Sequence, residues 1–468
     1  MRVPALAALA GALLAGAALI PYGPGMTPDS VHYLSAAENL RQGMGYATAV
    51  VPWNGPWPRP LVEWPPLYPL ALVAALALGG AVAGPWVLNA LLLAASTWQA
   101  ARLSGPAPLL GSLIFLASPA VVLVHGYVWS EPLFLLLVLL SLQAQERLLA
   151  EPGPGRLVSA AALTGLACLT RYLGATLVVS GALALAGRRR PLQALAYAAL
   201  SAAPLGLWLI RNRIVAGSLT GERTASGREL PELIREAART LGGWMVPLDG
   251  PLPRYAALAA LLALGAFLLR SAAREDVPWL AFLGVYLLAV ISLARIVAFD
   301  PLTTRLLVPV VPSLAVLAAR RLVPGRRVLA AAGVVLLIAG PALVTARELA
   351  YAALVTKGRG YRAAKWRETE AVRLAERGQG PFAGDGTLYS DAADLLSLYS
   401  GRPVRFLPAA STPPAELRRA MADRGSAIVL VRPTLPGLLG REDLLRSPFF
   451  RLERTLGQGA VLVPAGGM

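Results

Sequence analysis

The sequence predicts a mainly α-helical, polytopic membrane protein, a bundle of about eleven spans with a large first external loop and a small C-terminal α/β domain. Three observations carry that prediction. Of the 468 residues, 56% are hydrophobic and only 15% are charged, well under the roughly 25% of an ordinary soluble domain. Apolar runs of spanning or near-spanning length recur along the chain. Arginines gather at alternate ends of those runs, which is how charge records topology. A soluble chain of this length needs more polar surface. In a bilayer, lipid-facing side chains are apolar and helices satisfy the backbone internally.

The first apolar run, 3–21, follows Arg2 and has the length of a span, although Ala15, Gly16 and Ala17 resemble the cleavage region of a signal peptide. Further spans are expected at 86–103, 107–124, 131–148, 157–171, 172–187, 191–210, 254–270, 277–296, 304–320 and 327–346. With the N-terminus inside, the basic ends at Arg102, Arg147, Arg156, Arg188 to Arg190, Arg270, Arg274, Arg320, Arg321, Arg326 and Arg327 all fall on the cytoplasmic side. That assignment holds only if the apolar stretch 67–80 does not cross. After Pro65 and Pro66 it reads as a re-entrant or interfacial helix. Basic residues at both ends of 157–187, Arg156 and Arg188, predict a hairpin with Arg171 and Tyr172 at its tip.

From about residue 348 the hydropathy falls, and residues 348–468 read as a soluble α/β domain following a transmembrane domain over 1–347, whose first external loop covers 22–85. Short β-rich runs stand at 427–431 and 460–463, and helices are expected at 365–377 and 391–400, the second stopped by Gly401. An odd number of crossings sets this domain outside. The net charge of +17 follows the span ends rather than one soluble face, which argues against nucleic acid as a partner. The single cysteine, Cys168, lies within an apolar run, so no intramolecular disulfide and no Cys-based zinc site is expected.

Three groups of polar residues share the external side of this topology. They are Asp29, His32, Tyr33, Glu38 and Glu63 in the first loop; His125, Tyr127, Ser130 and Glu131 before the fourth span; and Arg171, Tyr172, Arg211, Asn212, Arg213 and Arg305 at later span ends. Charge near membrane depth is costly unless it faces a cavity or a partner, so their convergence suggests a site. Each also has a plainer reading. Asp29 and Glu131 suit first helical turns, the arginines suit snorkelling to headgroups, and Trp53, Trp57 and Trp64 suit interfacial anchoring. His32 and His125, both near carboxylates, permit a divalent metal held by His and Asp/Glu, and equally permit hydrogen bonding to a sugar; no cofactor is assigned.

The run Thr27-Pro28-Asp29-Ser30, followed by Tyr33-Leu34, Asn39-Leu40 and Trp64-Pro65-Pro66-Leu67-Tyr68-Pro69, resembles the first external loop of the glycosyltransferase-C superfamily. The match is to bacterial relatives of protein O-mannosyltransferases and aminoarabinose transferases. Ser130-Glu131-Pro132-Leu133, Leu169-Thr170-Arg171-Tyr172, Arg211-Asn212, Arg305 with Pro309 and Pro312, and Tyr389-Ser390-Asp391 through Gly401-Arg402-Pro403 follow in the family's order. Many relatives have Asp-Glu where this chain has Asp29-Ser30, and Lys-Pro-Pro-Leu where it has Trp64-Pro65-Pro66-Leu67.

The resemblance implies transfer of a sugar from a polyprenyl-phosphate-linked donor to a lipid, glycan or protein acceptor at the non-cytoplasmic face of a bacterial cell membrane, with inversion. In that frame Asp29 is the candidate general base and Glu131 a second catalytic carboxylate. Arg171 and Arg305 face the phosphate, since a guanidinium offers it a planar fork. Tyr172, His32, Tyr33, Glu63, His125 and Arg211 complete the candidate substrate site. A transporter or flippase of lipid-linked intermediates shares the membrane class and the basic rim, but no paired broken helices from internal repeats are seen.

Overall fold

The computed structural model describes residues 2–19, 22–248, 250–298, 301–322, 333–421, 423, 425–431 and 437–465; Arg326 and Arg327 lie outside them. The chain forms two compact units. One comprises Met1–Ile20, Val62–Ala71 and Pro85–Val355, the other Pro21–Leu61, Leu72–Gly84 and Thr356–Met468. In chain order the helices through residue 355 are α1 (Arg2–Leu19), α2 (Pro28–Arg41), α3 (Leu67–Leu103), α4 (Pro108–Ala117), α5 (Pro119–His125), α6 (Glu131–Ala150), α7 (Pro154–Thr170), α8 (Ala175–Gly187), α9 (Pro191–Ala216), α10 (Leu230–Met245), α11 (Pro251–Arg270), α12 (Val277–Ile296), α13 (Thr304–Leu307), α14 (Val310–Leu322) and α15 (Val335–Val355). Proline stands in the first turn of α4 to α7 and of α9 to α12, where its missing N–H costs nothing and its fixed φ suits the helix.

The first unit is a helical bundle whose outer faces are apolar. Leu192 is 81% exposed, Leu288 69% and Leu262 66%, positions that water would penalise and lipid does not. By length and apolar character six of the described helices reach across a membrane, or seven if the pair α4–α5, bent by 66°, counts as one. This is a multi-pass integral membrane protein. The difference from the eleven expected spans lies in short or interrupted helices. α7 has 17 residues and α8 has 13, while the expected span at 304–320 is broken into α13 and α14. The expected hairpin is present, with Arg171 between α7 and the 3-10 turn Tyr172–Gly174 that leads into α8.

The basic span ends meet at one end of this bundle. Arg320 Nε donates to the Leu103 carbonyl at 2.8 Å, Arg320 pairs with Glu146 at 3.1 Å and with Asp276 at 3.3 Å, and Arg321 Nε donates to Asp276 at 2.7 Å. Trp279 Nε1 donates to Glu146 at 3.0 Å. Arg188 reaches the Arg274 carbonyl at 3.1 Å, and Arg190 reaches that of Leu149 at 3.2 Å. The ends of α3, α6, α8 and α14 and the starts of α9 and α12 are thereby tied together.

α3 is broken at Gly80, whose φ of 65° and ψ of −170° leave the helix. The two arms fold back on each other so closely that a Cβ on Gly84 would stand 2.1 Å from the Ala75 carbonyl oxygen, and one on Gly79 would stand 2.7 Å from Gly84 N. The break falls at the end of the apolar stretch 67–80.

The second unit is built on a six-stranded sheet. Its strands follow β1 (Ala47–Thr48), and β3 (Arg59–Pro60) pairs antiparallel with β1 in a separate ribbon. The sheet itself takes β2 (Val50–Val51), β4 (Leu388–Ser390), β5 (Val404–Phe406), β6 (Ala427–Leu430), β7 (Phe450–Leu456) and β8 (Gly459–Pro464). Their order is β2-β5-β4-β6-β8-β7, parallel from β2 to β6 and antiparallel beyond. The first loop thus supplies an edge strand, which sequence order alone did not suggest. Asp391 locks the sheet's centre by accepting the Val431 N–H at 3.0 Å and the Ser390 hydroxyl at 3.2 Å. Arg402 donates to the carbonyls of Phe382 and Gly386 at 3.0 and 3.1 Å. Both motif residues hold the domain together.

Two expected helices are refined. Ala393–Ser400 ends on Gly401 in the left-handed conformation. The helix expected over 365–377 is two, Ala364–Arg367 and Glu370–Arg377, because Thr369 leaves the helix to cap the second and accepts the Val372 N–H.

Candidate functional site

At the start of α6, Glu131 is fully buried. Its Oε1 receives Arg171 Nη1 at 2.7 Å and Arg305 Nε at 2.7 Å, while its Oε2 has no hydrogen-bond partner. Three residues separated by as many as 174 positions therefore form one cluster. Each arginine is held from a second side. Arg171 Nη1 also donates to Ser130 Oγ at 3.0 Å, and the Arg305 guanidinium lies 4.2 Å over the Trp129 ring, which stacks on Tyr127 at 4.2 Å.

The backbone around Arg305 is fixed as well. Tyr286 on α12 donates to the Leu306 carbonyl at 2.7 Å, and Trp244 on α10 donates to Thr304 Oγ1 at 3.1 Å. Two guanidinium groups thus share one carboxylate oxygen. Both arginine side chains remain about 15% exposed, so the cluster can be approached by an anion from outside. Along α6 the cluster is 15 residues from Glu146, or about 22 Å at 1.5 Å per residue, which sets it at the bundle end opposite the basic span ends.

A second group packs beside α9. Tyr172 donates its hydroxyl to the Val62 carbonyl at 2.7 Å, and the fully buried Asn212 donates to the Leu219 carbonyl at 2.8 Å and the Tyr172 hydroxyl at 3.3 Å. Arg211 donates to Asn212 Oδ1 at 3.0 Å and lies 4.8 Å over Trp208. Glu63 accepts the Val62 N–H at 3.1 Å, and Arg223 donates to the Glu63 carbonyl at 3.4 Å. These contacts pin the segment after the first loop to the bundle. His125 is buried, with Nδ1 on the Val121 carbonyl at 2.8 Å, and its own carbonyl accepts Asn89 Nδ2 at 3.0 Å; the same amide nitrogen donates to Tyr127 at 2.7 Å.

In the second unit, α2 carries Asp29, His32 and Tyr33. The N-terminus of α2 is capped by Thr27 with Ser30, whose hydroxyl accepts the Thr27 N–H at 3.0 Å, so Asp29 is not the cap. His32 is nine-tenths buried with Nδ1 2.8 Å from Thr48 Oγ1, which ties α2 to β1, and Tyr33 is buried. Beside Asp29 lies a tight acid pair: Tyr361 donates to Asp394 Oδ2 at 2.5 Å. Burial pushes the Asp394 carboxyl up, against the hydrogen bonds from Tyr361 and the Leu395 N–H. Burial, the Asp394 carboxylate and Asp29 all push the Tyr361 phenol up.

Sequence reasoning brought Glu131, Arg171 and Arg305 to one side, and the structure brings them into contact. It passed over Trp129 and Asn89. Both carried a signal: an aromatic directly before Ser130-Glu131, and a lone amide in the apolar run 86–103. Among the described residues no group of three His, Cys, Asp or Glu side chains assembles.

Solved structures of membrane glycosyltransferases share this fold. ArnT from Cupriavidus metallidurans in the apo state aligns over 98% of this chain and 97% of its own, at 14% identity and a TM-score of 0.62. The same protein bound to undecaprenyl phosphate aligns equally, at 13% identity and 0.62. The arabinofuranosyltransferase AftD from Mycobacteria aligns over 100% of this chain and 40% of its own, at 16% identity and 0.55. No protein-family model matches the sequence, and no curated protein matches it.

Proposed function

We propose that this protein is an integral membrane glycosyltransferase that moves a sugar from a polyprenyl-phosphate-linked donor to a lipid, glycan or protein acceptor. The observation that carries the reading is the Glu131–Arg171–Arg305 cluster, two partly exposed guanidinium groups brought together on one buried carboxylate at one end of the bundle. A fold shared along nearly the whole chain with a protein solved bound to undecaprenyl phosphate supports it.

In this reading Arg171 and Arg305 hold the donor phosphate and stabilise the charge that develops on it as it leaves. Glu131, a candidate catalytic carboxylate on sequence grounds, is fully buried and twice paired. It then acts as a positioning residue that keeps the two guanidinium groups together. The acceptor hydroxyl loses its proton to a carboxylate, for which Asp29 is the candidate on sequence grounds, and its oxygen bonds to the anomeric carbon as the bond from that carbon to the phosphate oxygen breaks, with inversion. Tyr172, Arg211 and Glu63 shape the approach to that chemistry. The eleven-span topology has this site and residues 348–468 outside the cytoplasm of a bacterial inner membrane, supported by basic residues gathered at the other end.

The test is an assay of purified protein in liposomes with a radiolabelled polyprenyl-phosphate sugar. Transfer releases free polyprenyl phosphate in proportion to glycosylated acceptor. Movement of intact donor between leaflets with no release overturns the enzyme reading in favour of a flippase.

A further inference from the structure

At the end of the bundle that carries the basic residues, the start of α1, the end of α3 and the start of α4 line a wide-open cleft of about 500 Å³. Its wall includes Arg2, Val3, Arg102, Gly105 and Pro108. This volume falls in the range of small-molecule sites. The two guanidinium groups are its charged elements, and neither forms an ion pair among the described residues. Arg102 is oriented by Trp98, whose ring lies 4.6 Å beneath its guanidinium.

No Asp or Glu occurs in α1, α4 or residues 64–130, so nothing on the walls neutralises the pair. Nearby acids are engaged elsewhere, Glu146 by Arg320 and Asp276 by Arg320 and Arg321. Snorkelling accounts for an arginine at one helix end; here arginines from two helix ends share one cleft with no acid among its lining residues. Below the cavity, α1 presents Leu6, Leu9 and Leu13 and α4 presents Leu109 and Leu113, all exposed and each set spaced along one helical face. Gly11 lets α1 approach Thr97 and Leu116 closely beneath them.

A polar basin with two cations, continuous with an apolar track, matches a molecule with an anionic head and hydrocarbon tails. We infer that this cavity binds the phosphate-bearing headgroup of an anionic phospholipid, with its acyl chains along α1 and α4. The site is separate from the Glu131 cluster, and the inference does not depend on what that cluster does.

Native mass spectrometry of the full chain, titrated with phosphatidylglycerol, phosphatidylcholine or inorganic phosphate, tests it. Wild type is expected to retain phosphatidylglycerol over phosphatidylcholine. Arg2→Ala/Arg102→Ala should bind it about tenfold to thirtyfold more weakly, from roughly one charge contact per arginine. Arg102→Gln alone, which keeps Arg2 as a topology signal, should lose about half of that in logarithmic terms. Arg270→Ala, at the exposed end of α11, should behave as wild type. Equal retention by the double variant and wild type overturns the inference, and so does equal binding of phosphatidylcholine. Displacement of the lipid by equimolar inorganic phosphate also overturns it, since the cavity then takes a soluble anion.

Discussion

At the residue scale the cluster around Glu131 shows how a buried carboxylate is used. An ion pair taken out of water gains stability only when its charges are fully matched, and stranding one partner costs about 3–5 kcal/mol. Glu131 is matched twice over by guanidinium groups, which suits a positioning role better than it suits a proton acceptor. Arg171→Lys keeps the charge but loses the planar fork, one arm of which also serves Ser130. The variant should fold normally and lose about 1.5–3 kcal/mol in donor use, the range for one hydrogen bond to a charged group. Steady-state kinetics against donor concentration measures this, and unchanged kinetics would assign Arg171 to structure alone.

Asp29 makes the complementary prediction. Because Thr27 and Ser30 already cap α2, Asp29→Asn should leave stability and donor binding intact. As the proposed general base it should lower turnover by about two to four orders of magnitude. Near-normal turnover in a well-folded Asn variant removes it from the mechanism. His32 was visible in the sequence as a candidate for substrate, and its Nδ1 lies 2.8 Å from Thr48 Oγ1; a side chain's partner sixteen residues away cannot be read from spacing.

At the scale of elements, α3 depends on its small residues. The helix runs for 37 residues, yet Gly80 turns it, because φ near 65° is costly for residues with a Cβ. The return then requires Gly84, where any side chain meets the Ala75 backbone. Gly84→Val should destabilise the protein by about 1–3 kcal/mol as an overpacked contact. Ala83→Val, next to it, serves as the control for added bulk. Thermal unfolding in detergent compares the two, and equal melting temperatures would show that the arms do not need their close approach. α6 works differently, as a ruler: Glu131 and Glu146 stand near its two ends, and each anchors arginines from other helices.

For the whole molecule, the gathering of basic ends gives a topology prediction. In a chain lacking Cys168, a cysteine at Ser400 should react with an impermeant maleimide in intact cells. One at Arg189 should react only after the inner membrane is opened. The reverse pattern inverts the topology and with it the assignment of the site to the external face.

The sequence by itself determined the membrane class, the helical segments, the hairpin at Arg171 and the segregation of basic span ends. Hydropathy and charge are properties of local composition, and a bilayer sorts them along one axis, so they survive in one dimension. Tertiary structure alone decided that Glu131 pairs with both Arg171 and Arg305, that Trp129 backs Arg305, and that Val50–Val51 adds an edge strand beside Val404–Phe406. Those are contacts between residues 40 to more than 300 positions apart. They depend on which helix or strand lies beside which, and a burial pattern repeated alike in every span cannot encode that choice.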